Sequence, residues 1–175
     1  RQRQMCIRDR LPRGEIIFHG ATIHPVSSQS FKGDLHVDNG KITKLVAINE
    51  SKLPENKEGI QLISCKGLHI YPGMISSNSV LGLTEIRAVR ATRDMIETGD
   101  INPNVRAEVA VNPDSELFPV TRSNGVLHVL SVPQSNGLIA GKSALMGLDG
   151  WTWEDATLKH PAALNLSLIH ISEPT

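Results

Sequence analysis

Alternating apolar and polar residues dominate the first third of the chain and predict short β-strands. Residues 15–24, EIIFHGATIH, start with strand-forming residues and are interrupted by Gly20. Residues 33–48, GDLHVDNGKITKLVAI, alternate on both sides of Asn39-Gly40, a pair that accepts the positive φ angles of a tight hairpin turn. With two more short strands before residue 71, residues 15–71 are predicted to form a small β unit.

The pattern changes after Pro72-Gly73. Residues 74–83 form a mostly apolar run, whereas residues 84–97 are rich in charge and predict either a helix or an irregular loop. Residues 112–116, NPDSE, have the composition of a helix start, because Asn caps, Pro suits the first helical position and acids complement the helix dipole. Gly125 then ends a short or bent helix.

The last third predicts a buried strand, a loop and a further helix. Residues 126–132, VLHVLSV, are nearly all apolar, as in a buried parallel strand. The Gly- and Ser-containing residues 135–150 predict a loop that exposes Lys142, and residues 152–159 predict a helix capped by Thr152. Helix-sized segments between strand-sized ones indicate βαβ units and an α/β fold.

The two ends of the chain share an inverted repeat at the DNA level, which indicates translated adapter DNA and not the gene of the protein. The codons ATG TGT ATA AGA GAC AG encode MCIRD of the first ten residues, and their reverse complement, read in a shifted frame, encodes LSLIH of the last ten. Residues 1–10 and 166–175 are therefore interpreted as adapter-derived and are left out of the fold prediction. The remaining residues, about 155, suffice for one core but not for an eight-stranded α/β barrel of about 250 residues.

Composition excludes several classes of protein. Without the terminal segments, 14 basic and 16 acidic residues remain, a net charge of −2 that gives no basic surface for nucleic acid. No apolar run reaches the roughly 18 residues of a membrane-spanning helix. Cys65 is then the single cysteine, which excludes a disulfide framework and predicts a small buried side chain.

Two stretches carry a family resemblance. GDLHVDNGKITKL at residues 33–45, followed by GLHIYPGMI at residues 67–75, resembles the start of the amidohydrolase superfamily, especially its imidazolonepropionase-like and dihydroorotase-like members. Residues 123–130, SNGVLHVL, resemble the second barrel strand of that family. The resemblance implies a small β-sandwich-like subdomain at residues 11–72, followed at residues 73–165 by the first strands and helices of an incomplete (β/α)8 TIM-type barrel.

The sequence departs from the family where the metal binds. When the chain is aligned on Pro72-Gly73, the Asp and two His of the family motif fall on Ser76, Asn78 and Val80. In the family, such histidines hold a divalent metal that lowers the pKa of a bound water. Asn is a poor zinc ligand and Val is none, so this chain is predicted to hold no metal of its own, and a zinc-like ion is expected only from later strands of a longer protein.

Other candidate residues are weak. Ser76, Asn78 and Arg122 remain as polar residues for contact with a substrate, against the simpler interpretation that they satisfy neighbouring backbone groups. His128 is interpreted as a core histidine, Lys142 as an exposed loop residue and not a metal-bridging lysine, and Cys65 as no nucleophile. The remaining histidines show no paired spacing of a ligand motif; they are His19, His24, His36, His69 and His160.

Two functions stay open at this point. The resemblance implies that the longer protein is a metal-dependent hydrolase of non-peptide C–N bonds in cyclic amide-like small molecules, of which this chain alone is an inactive, poorly soluble part. The alternative is a non-catalytic homologue that binds a ligand or pairs with an active paralogue. A homo-oligomer is compatible with both functions, and both the cytoplasm and the periplasm remain open.

Overall fold

The computed structural model describes residues 14–51, 53, 59–135 and 137–167 of the 175-residue chain. The chain divides into two compact units, Arg1–Pro72 and Gly73–Thr175, and each has its own sheet. Of the two terminal segments predicted to be adapter-derived, residues 1–10 and 168–175 lie outside the described residues. Leu166 and Ser167 of the second segment are described: Leu166 pairs with Ile139, and the Ser167 backbone N–H donates to the carbonyl of Leu138.

Five strands form the mixed sheet of the first unit. They are β1 (Glu15–Ile23), β2 (Phe31–Asp38), β3 (Lys41–Ala47), β4 (Ile60–Ser64) and β5 (His69–Ile70). The order is β3-β2-β1-β4, β5 also pairs with β1, and both β4 and β5 run parallel to β1. The predicted hairpin is confirmed, because Asp38 pairs with Lys41 and the φ angles are 48° at Asn39 and 75° at Gly40.

A β-bulge interrupts β1 opposite Asp34. Phe18 pairs with Leu35 and Ala21 pairs with Gly33, so two residues of β1 oppose the single residue Asp34 on β2. Gly20 occupies the bulge with a φ of 77°, a conformation that glycine adopts without steric cost. The bulge turns the backbone N–H of Gly20 away from the ladder and toward the side chain of Asp34.

One face of this sheet buries a small apolar core. Its fully buried members are Ala21, Ile23, Leu35 and Cys65, and Phe18, Phe31, Val37, Ile63 and Ile70 pack against them. Cys65 is 6% exposed, which confirms its prediction as a small buried side chain. The core is small because the solvent side of β3 and β4 is largely polar or exposed.

Among its described residues, the second unit contains four strands and two short α-helices. They are β6 (Met74–Ser79), α1 (Leu117–Ser123), β7 (Val126–Ser131), β8 (Ile139–Gly147), α2 (Trp153–Ala156) and β9 (Thr157–Leu166). The order is β6-β7-β8-β9; β6 and β7 are parallel, and the other pairs are antiparallel. The predicted parallel strand is confirmed as β7. The predicted short helix is present as α1 and ends before Gly125, whose φ is 85°, but the predicted start at residues 112–116 is wrong because the helix begins at Leu117.

The core of this unit lies between its sheet, α1 and the long connection from β6 to α1. Its buried members are Leu83, Ala107, Val111, Phe118, Val129, Ala144, Met146, Leu148 and Ala156. Val80 is half-buried and packs against this cluster. Burying such side chains stabilises a fold by about 1.5–3 kcal/mol for each large aliphatic or aromatic group.

The predicted α/β fold with an incomplete (β/α)8 barrel is wrong. The structure is 46% strand and 12% helix, and the two sheets are mixed. A (β/α)8 barrel needs parallel strands that alternate with helices, whereas β8 and β9 continue the sheet of the second unit antiparallel and residues 84–97 contain only the 3-10 turn Arg90–Thr92. The predicted loop at 135–150 is largely β8, and the predicted helix at 152–159 stops at Ala156 and continues as β9.

The connection between β6 and α1 is irregular but well tied to the sheet. The connection contains a second 3-10 turn at Ala107–Ala110. Before that turn it runs alongside β8 and makes isolated parallel bridges to it. The bonded backbone pairs are Gln134 N–H to Met95 carbonyl, Ile139 N–H to Asp100 carbonyl, Asn102 N–H to Ile139 carbonyl and Lys142 N–H to Val105 carbonyl, at 2.7–3.0 Å. Gly137 permits this approach, because a Cβ there would lie 2.2 Å from Asp100 Cα.

Across the described ranges, which leave out the two ends and a few internal positions, the structure has no helix that is both long and apolar enough to cross a bilayer.

Candidate functional site

The parallel pair β6–β7 positions the residues that the sequence singled out. Met74 pairs with Val126 and Ser79 pairs with Ser131, so the carboxyl ends of both strands lie at the same edge. Gly73, directly before β6, lies in close contact with β7, since a Cβ at this position would lie 2.4 Å from Leu127 Cδ1. In open sheets with parallel strands, ligand-binding residues collect at the carboxyl ends, which makes this edge the candidate site.

Ser76 and Asn78 lie on β6 near that edge, but Val80 does not face an open site. Ser76 is half-buried beside Val129, and Asn78 is exposed. Val80 follows the strand and packs against the apolar core of the second unit. The Asn78 amide is thus available to hydrogen-bond a polar molecule, whereas Val80 has a packing role.

Hydrogen bonds hold the two strand ends together. The Val132 N–H donates to the Ser79 carbonyl at 2.8 Å, and Ser79 Oγ accepts from the Leu81 N–H at 3.1 Å. The buried Ser131 Oγ donates to the Leu81 carbonyl at 3.4 Å. These serines therefore satisfy backbone groups at the turn that leaves β6, which is the structural role that buried hydroxyls usually have.

A cavity of about 360 Å³ lies beside Pro133, which follows β7 by two residues. Its apolar walls include Met95 and Val109, and its polar groups come from the connection between β6 and α1. These polar residues are Asp94, Glu97, Asn104 and Arg106. A volume of this size and a mixed lining suit a small polar molecule, because ligand sites commonly have volumes of about 300–1,000 Å³.

Arg122 lies at the opposite end of the sheet from Asn78. It is on α1, which leads into the start of β7, and its guanidinium donates to the carboxylate of Asp149. Asn78 is near the end of β6, about five residues or roughly 16 Å farther along the strand direction. The structure therefore does not bring Arg122 together with Ser76 and Asn78, and it gives Arg122 an ion-pairing role.

The described residues do not fit the metal centre that the resemblance implies. The strand positions carry an amide and an isopropyl group, which are a poor ligand and no ligand for zinc. Within the ranges that the structure describes, no three His, Cys, Asp or Glu side chains are placed to hold one ion. His128 is half-buried on β7, where it pairs with Ile75 and Gly147.

Sequence reasoning missed a buried carboxylate in the first unit. Asp34 is fully buried and accepts hydrogen bonds from His19 Nδ1 at 2.9 Å, from the Gly20 N–H at 2.9 Å and from the Ser51 hydroxyl. Burial raises the pKa of the Asp34 carboxyl, but hydrogen bonds from Ser51, His19 and Gly20 lower it more, so its pKa lies below the usual aspartate value. The carboxylate stands between the hydroxyl and the imidazole, which is not the order that activates a serine nucleophile.

A second buried carboxylate, Glu108, lies in the second unit. Its Oε1 accepts from Arg106 Nε at 2.7 Å, and its Oε2 lies 2.9 Å from His160 Nδ1 without the alignment of a hydrogen bond. The Arg106 guanidinium carbon also lies 6.0 Å from the Trp153 ring centroid. Glu108 was missed because its imidazole partner is 52 positions away and no local motif marks the contact.

Lys142 lies on β8 and is half-buried, so its prediction as an exposed loop residue is wrong. Small residues surround it because β8 passes close to the connection: a Cβ on Gly141 would lie 2.8 Å from Val105 Cβ. The Gly, Ala and Ser content that indicated a loop instead permits close packing of a central strand.

Comparison with known proteins identifies a structural similarity and no sequence-family match. The chain matches no family model and no curated protein. It is similar to the crystal structure of an amidohydrolase from Thermotoga maritima MSB8, with a TM-score of 0.77 and 28% sequence identity, over 86% of this chain and 38% of that chain. The chain thus spans well under half the length of this neighbour, and over the matched part it has an amidohydrolase-like fold.

Proposed function

We propose that this chain is part of a hydrolase that acts on non-peptide C–N bonds of small cyclic amide-like molecules. The observation that carries the proposal is the similarity to the Thermotoga maritima amidohydrolase, which extends over both units of the chain. The GDLHVDNGKITKL and YPGMI stretches add support, because they fold as the hairpin β2–β3 and the start of β6.

Asn78 is the residue of this chain that we assign to the substrate. Its exposed amide near the carboxyl end of β6 offers one donor group and one acceptor, which match the N–H and C=O of a cyclic amide. Ser76 lies two residues earlier on β6 and is half-buried. In the proposal, Ser76 helps to hold Asn78 in place and does not contact the substrate.

No step of the reaction is assigned to a metal held by this chain. The family positions that hold such an ion are Asn78 and Val80 here, and their side chains do not suit zinc. In the proposal, a divalent ion in the longer protein is held by residues beyond those described.

The experiment uses the longer protein that contains this chain, purified with its native metal content. Hydrolysis of five- and six-membered cyclic amides is followed by ring opening, and bound metal is measured by mass spectrometry. Turnover is expected, and Asn78→Ala should lower kcat/KM by about tenfold to a hundredfold, the loss of one hydrogen bond to the substrate.

Ser77→Ala is the matched control, since Ser77 is an exposed polar residue directly before Asn78 on β6. It should leave kcat/KM within about twofold of the parent, as is usual for an exposed surface change. A protein that hydrolyses no cyclic amide would overturn the proposal. Equal losses in both variants would overturn the assignment of Asn78.

One observation favours a second function, a non-catalytic homologue that binds a ligand or pairs with an active paralogue. Val80 is recruited to the apolar core, so one of the two family metal positions serves packing. Purification from the source cells tests it: this function requires an inert protein that elutes with an active amidohydrolase. A protein that turns over on its own excludes it.

A further inference from the structure

Two imidazoles contact each other at the edge of the first unit. His24 Nε2 lies 2.8 Å from His69 Nδ1, and the two ring centroids are 5.1 Å apart. His69 is exposed and His24 half-buried, so the contact is open to solvent. The spacing of the two residues in the sequence gave no sign of it, because they lie 45 positions apart.

Parallel pairing of β1 and β5 places these side chains together. Thr22 pairs with His69, and the His24 N–H donates to the Ile70 carbonyl at 2.9 Å just beyond the end of β1. His69 and Tyr71 are two residues apart and therefore lie on one face. Tyr71 stacks on His24 with centroids 4.4 Å apart and an interplanar angle of 9°, which restricts the orientation of the His24 ring.

Carboxylates already occupy other described histidines. His19 bonds Asp34, His36 Nδ1 lies 2.7 Å from Glu15 Oε1, and His160 lies beside Glu108. His24 and His69 instead have each other's ring nitrogens as partners. A hydrogen bond between two neutral imidazoles uses a single lone pair, and water competes for it at this exposed position.

We propose that His24 and His69 form a two-histidine surface site for a divalent transition metal, with Cu²⁺ and Ni²⁺ preferred over Zn²⁺. Metal binding requires the two nitrogen lone pairs to meet at one point in solvent, which adjustment of the exposed His69 ring allows while Tyr71 holds the His24 ring. Water completes the coordination, in agreement with the lack of a third protein ligand among the described residues. The site is separate from the strand positions discussed above and does not depend on the proposed hydrolysis.

The separation of the two nitrogens selects the ion. With the two nitrogens kept near their present separation of 2.8 Å, metal–imidazole bonds of about 2.0–2.1 Å subtend an angle of roughly 85–90° at the metal. That angle suits adjacent positions of a square-planar or octahedral ion, whereas tetrahedral zinc needs about 109°. Nitrogen ligands also bind Cu²⁺ more tightly than Ni²⁺ or Zn²⁺ in general, which acts in the same direction.

Titration of the full 175-residue chain with Cu²⁺, Ni²⁺ and Zn²⁺ tests the site. His24→Gln and His69→Gln should each weaken Cu²⁺ binding by about tenfold or more, because loss of a direct ligand costs at least as much as loss of a supporting contact. Electron paramagnetic resonance of the Cu²⁺ complex should show two nitrogen ligands in the parent chain and fewer in each variant. His128→Gln is the matched control and should bind Cu²⁺ like the parent.

All variants share the same termini, so any binding by terminal groups contributes equally to each. Circular dichroism confirms that each variant is folded, and Cu²⁺ should raise the Tm of the parent and the control more than that of the two site variants. Equal Cu²⁺ affinity in the parent and both site variants would overturn the proposal. Tighter binding of Zn²⁺ than of Cu²⁺ would overturn the assigned geometry.

Discussion

At the scale of single residues, Asp34 shows which features a local sequence pattern does not reveal. The sequence marked it only as a polar position within a strand, yet it is fully buried. Its side-chain partners, His19 and Ser51, are 15 and 17 positions away, and their contact depends on the bulge at Gly20. Cys65, by contrast, was predicted correctly because free cysteines are usually buried whatever their partners.

We expect Asp34→Asn to lower the free energy of unfolding by about 2–3 kcal/mol, because it replaces a buried carboxylate with an amide that presents a donor to other donors. The measurement is urea denaturation of the full chain at pH 7. Glu50→Gln makes the same chemical change on an exposed side chain of the same unit and should shift stability by less than about 0.5 kcal/mol. Similar losses in both variants would show that the Asp34 contacts contribute nothing specific.

Asp34→Asn should also change how the free energy of unfolding depends on pH. The pKa of Asp34 is lower in the folded chain than its ordinary value of 3.8, so the ionised carboxylate stabilises the fold above that pH. This contribution is lost as the pH falls through the folded-state pKa. As the pH falls below about 3.8, the unfolding free energy of the parent should therefore fall more steeply than that of Asp34→Asn. Parallel curves would contradict the assigned shift.

At the scale of secondary structure elements, turn-forming residues predicted an element correctly, whereas elements that depend on packing were predicted wrongly. The β2–β3 hairpin follows from Asn39-Gly40, since few other pairs adopt positive φ at both positions. β8 was predicted as a loop because its small residues resemble loop composition, although they fit a strand packed between β7 and β9. Pro161 lies within β9 and would disrupt a helix, but a strand at the edge of a sheet tolerates it.

We expect Gly40→Val to destabilise the chain by about 1–2 kcal/mol, because a β-branched residue is strained at a φ of 75°. Gly40→Asn should cost clearly less, since Asn tolerates the left-handed conformation. Thermal unfolding by circular dichroism compares the two variants. Equal losses in Tm would show that the turn geometry does not determine the effect.

At the scale of the whole chain, the β unit and the parallel start of the second sheet could be predicted, but the antiparallel continuation could not. A strand-like apolar run after Pro72-Gly73 and another at β7 suggested parallel pairing, which the structure confirms. Nothing local distinguishes a third parallel strand from an antiparallel one, because that choice depends on how the connecting segment packs. The site was only partly predictable. The family resemblance pointed to the edge of β6, whereas no local pattern pointed to the contacts of Glu108 and Asp34.

The outer edge of β6 should make the chain associate with itself. Within the described sheet, β6 has one neighbour, β7, and its apolar residues Met74 and Ile75 are 55% and 60% exposed. Exposed strand edges with apolar side chains pair with other chains. Sedimentation of the full chain at increasing concentration should show association, and Ile75→Lys should reduce it.

The matched control for this prediction is Ile86→Lys. Ile86 is 56% exposed but lies in the irregular connection and not on a strand edge. Its replacement should leave association unchanged. If both lysine variants reduce association equally, net charge and not edge pairing is responsible.

The repeated backbone hydrogen bonds that tie the long segment preceding α1 to β8 and Gln134 have a consequence for access to the cavity beside Pro133. A segment tied down at several successive points along a sheet opens only when those bonds break together, so it moves far more rarely than a hinged lid. It therefore behaves as a fixed wall beside the ends of β6 and β7. A small molecule that reaches the cavity beside Pro133 should therefore enter it without first displacing this segment.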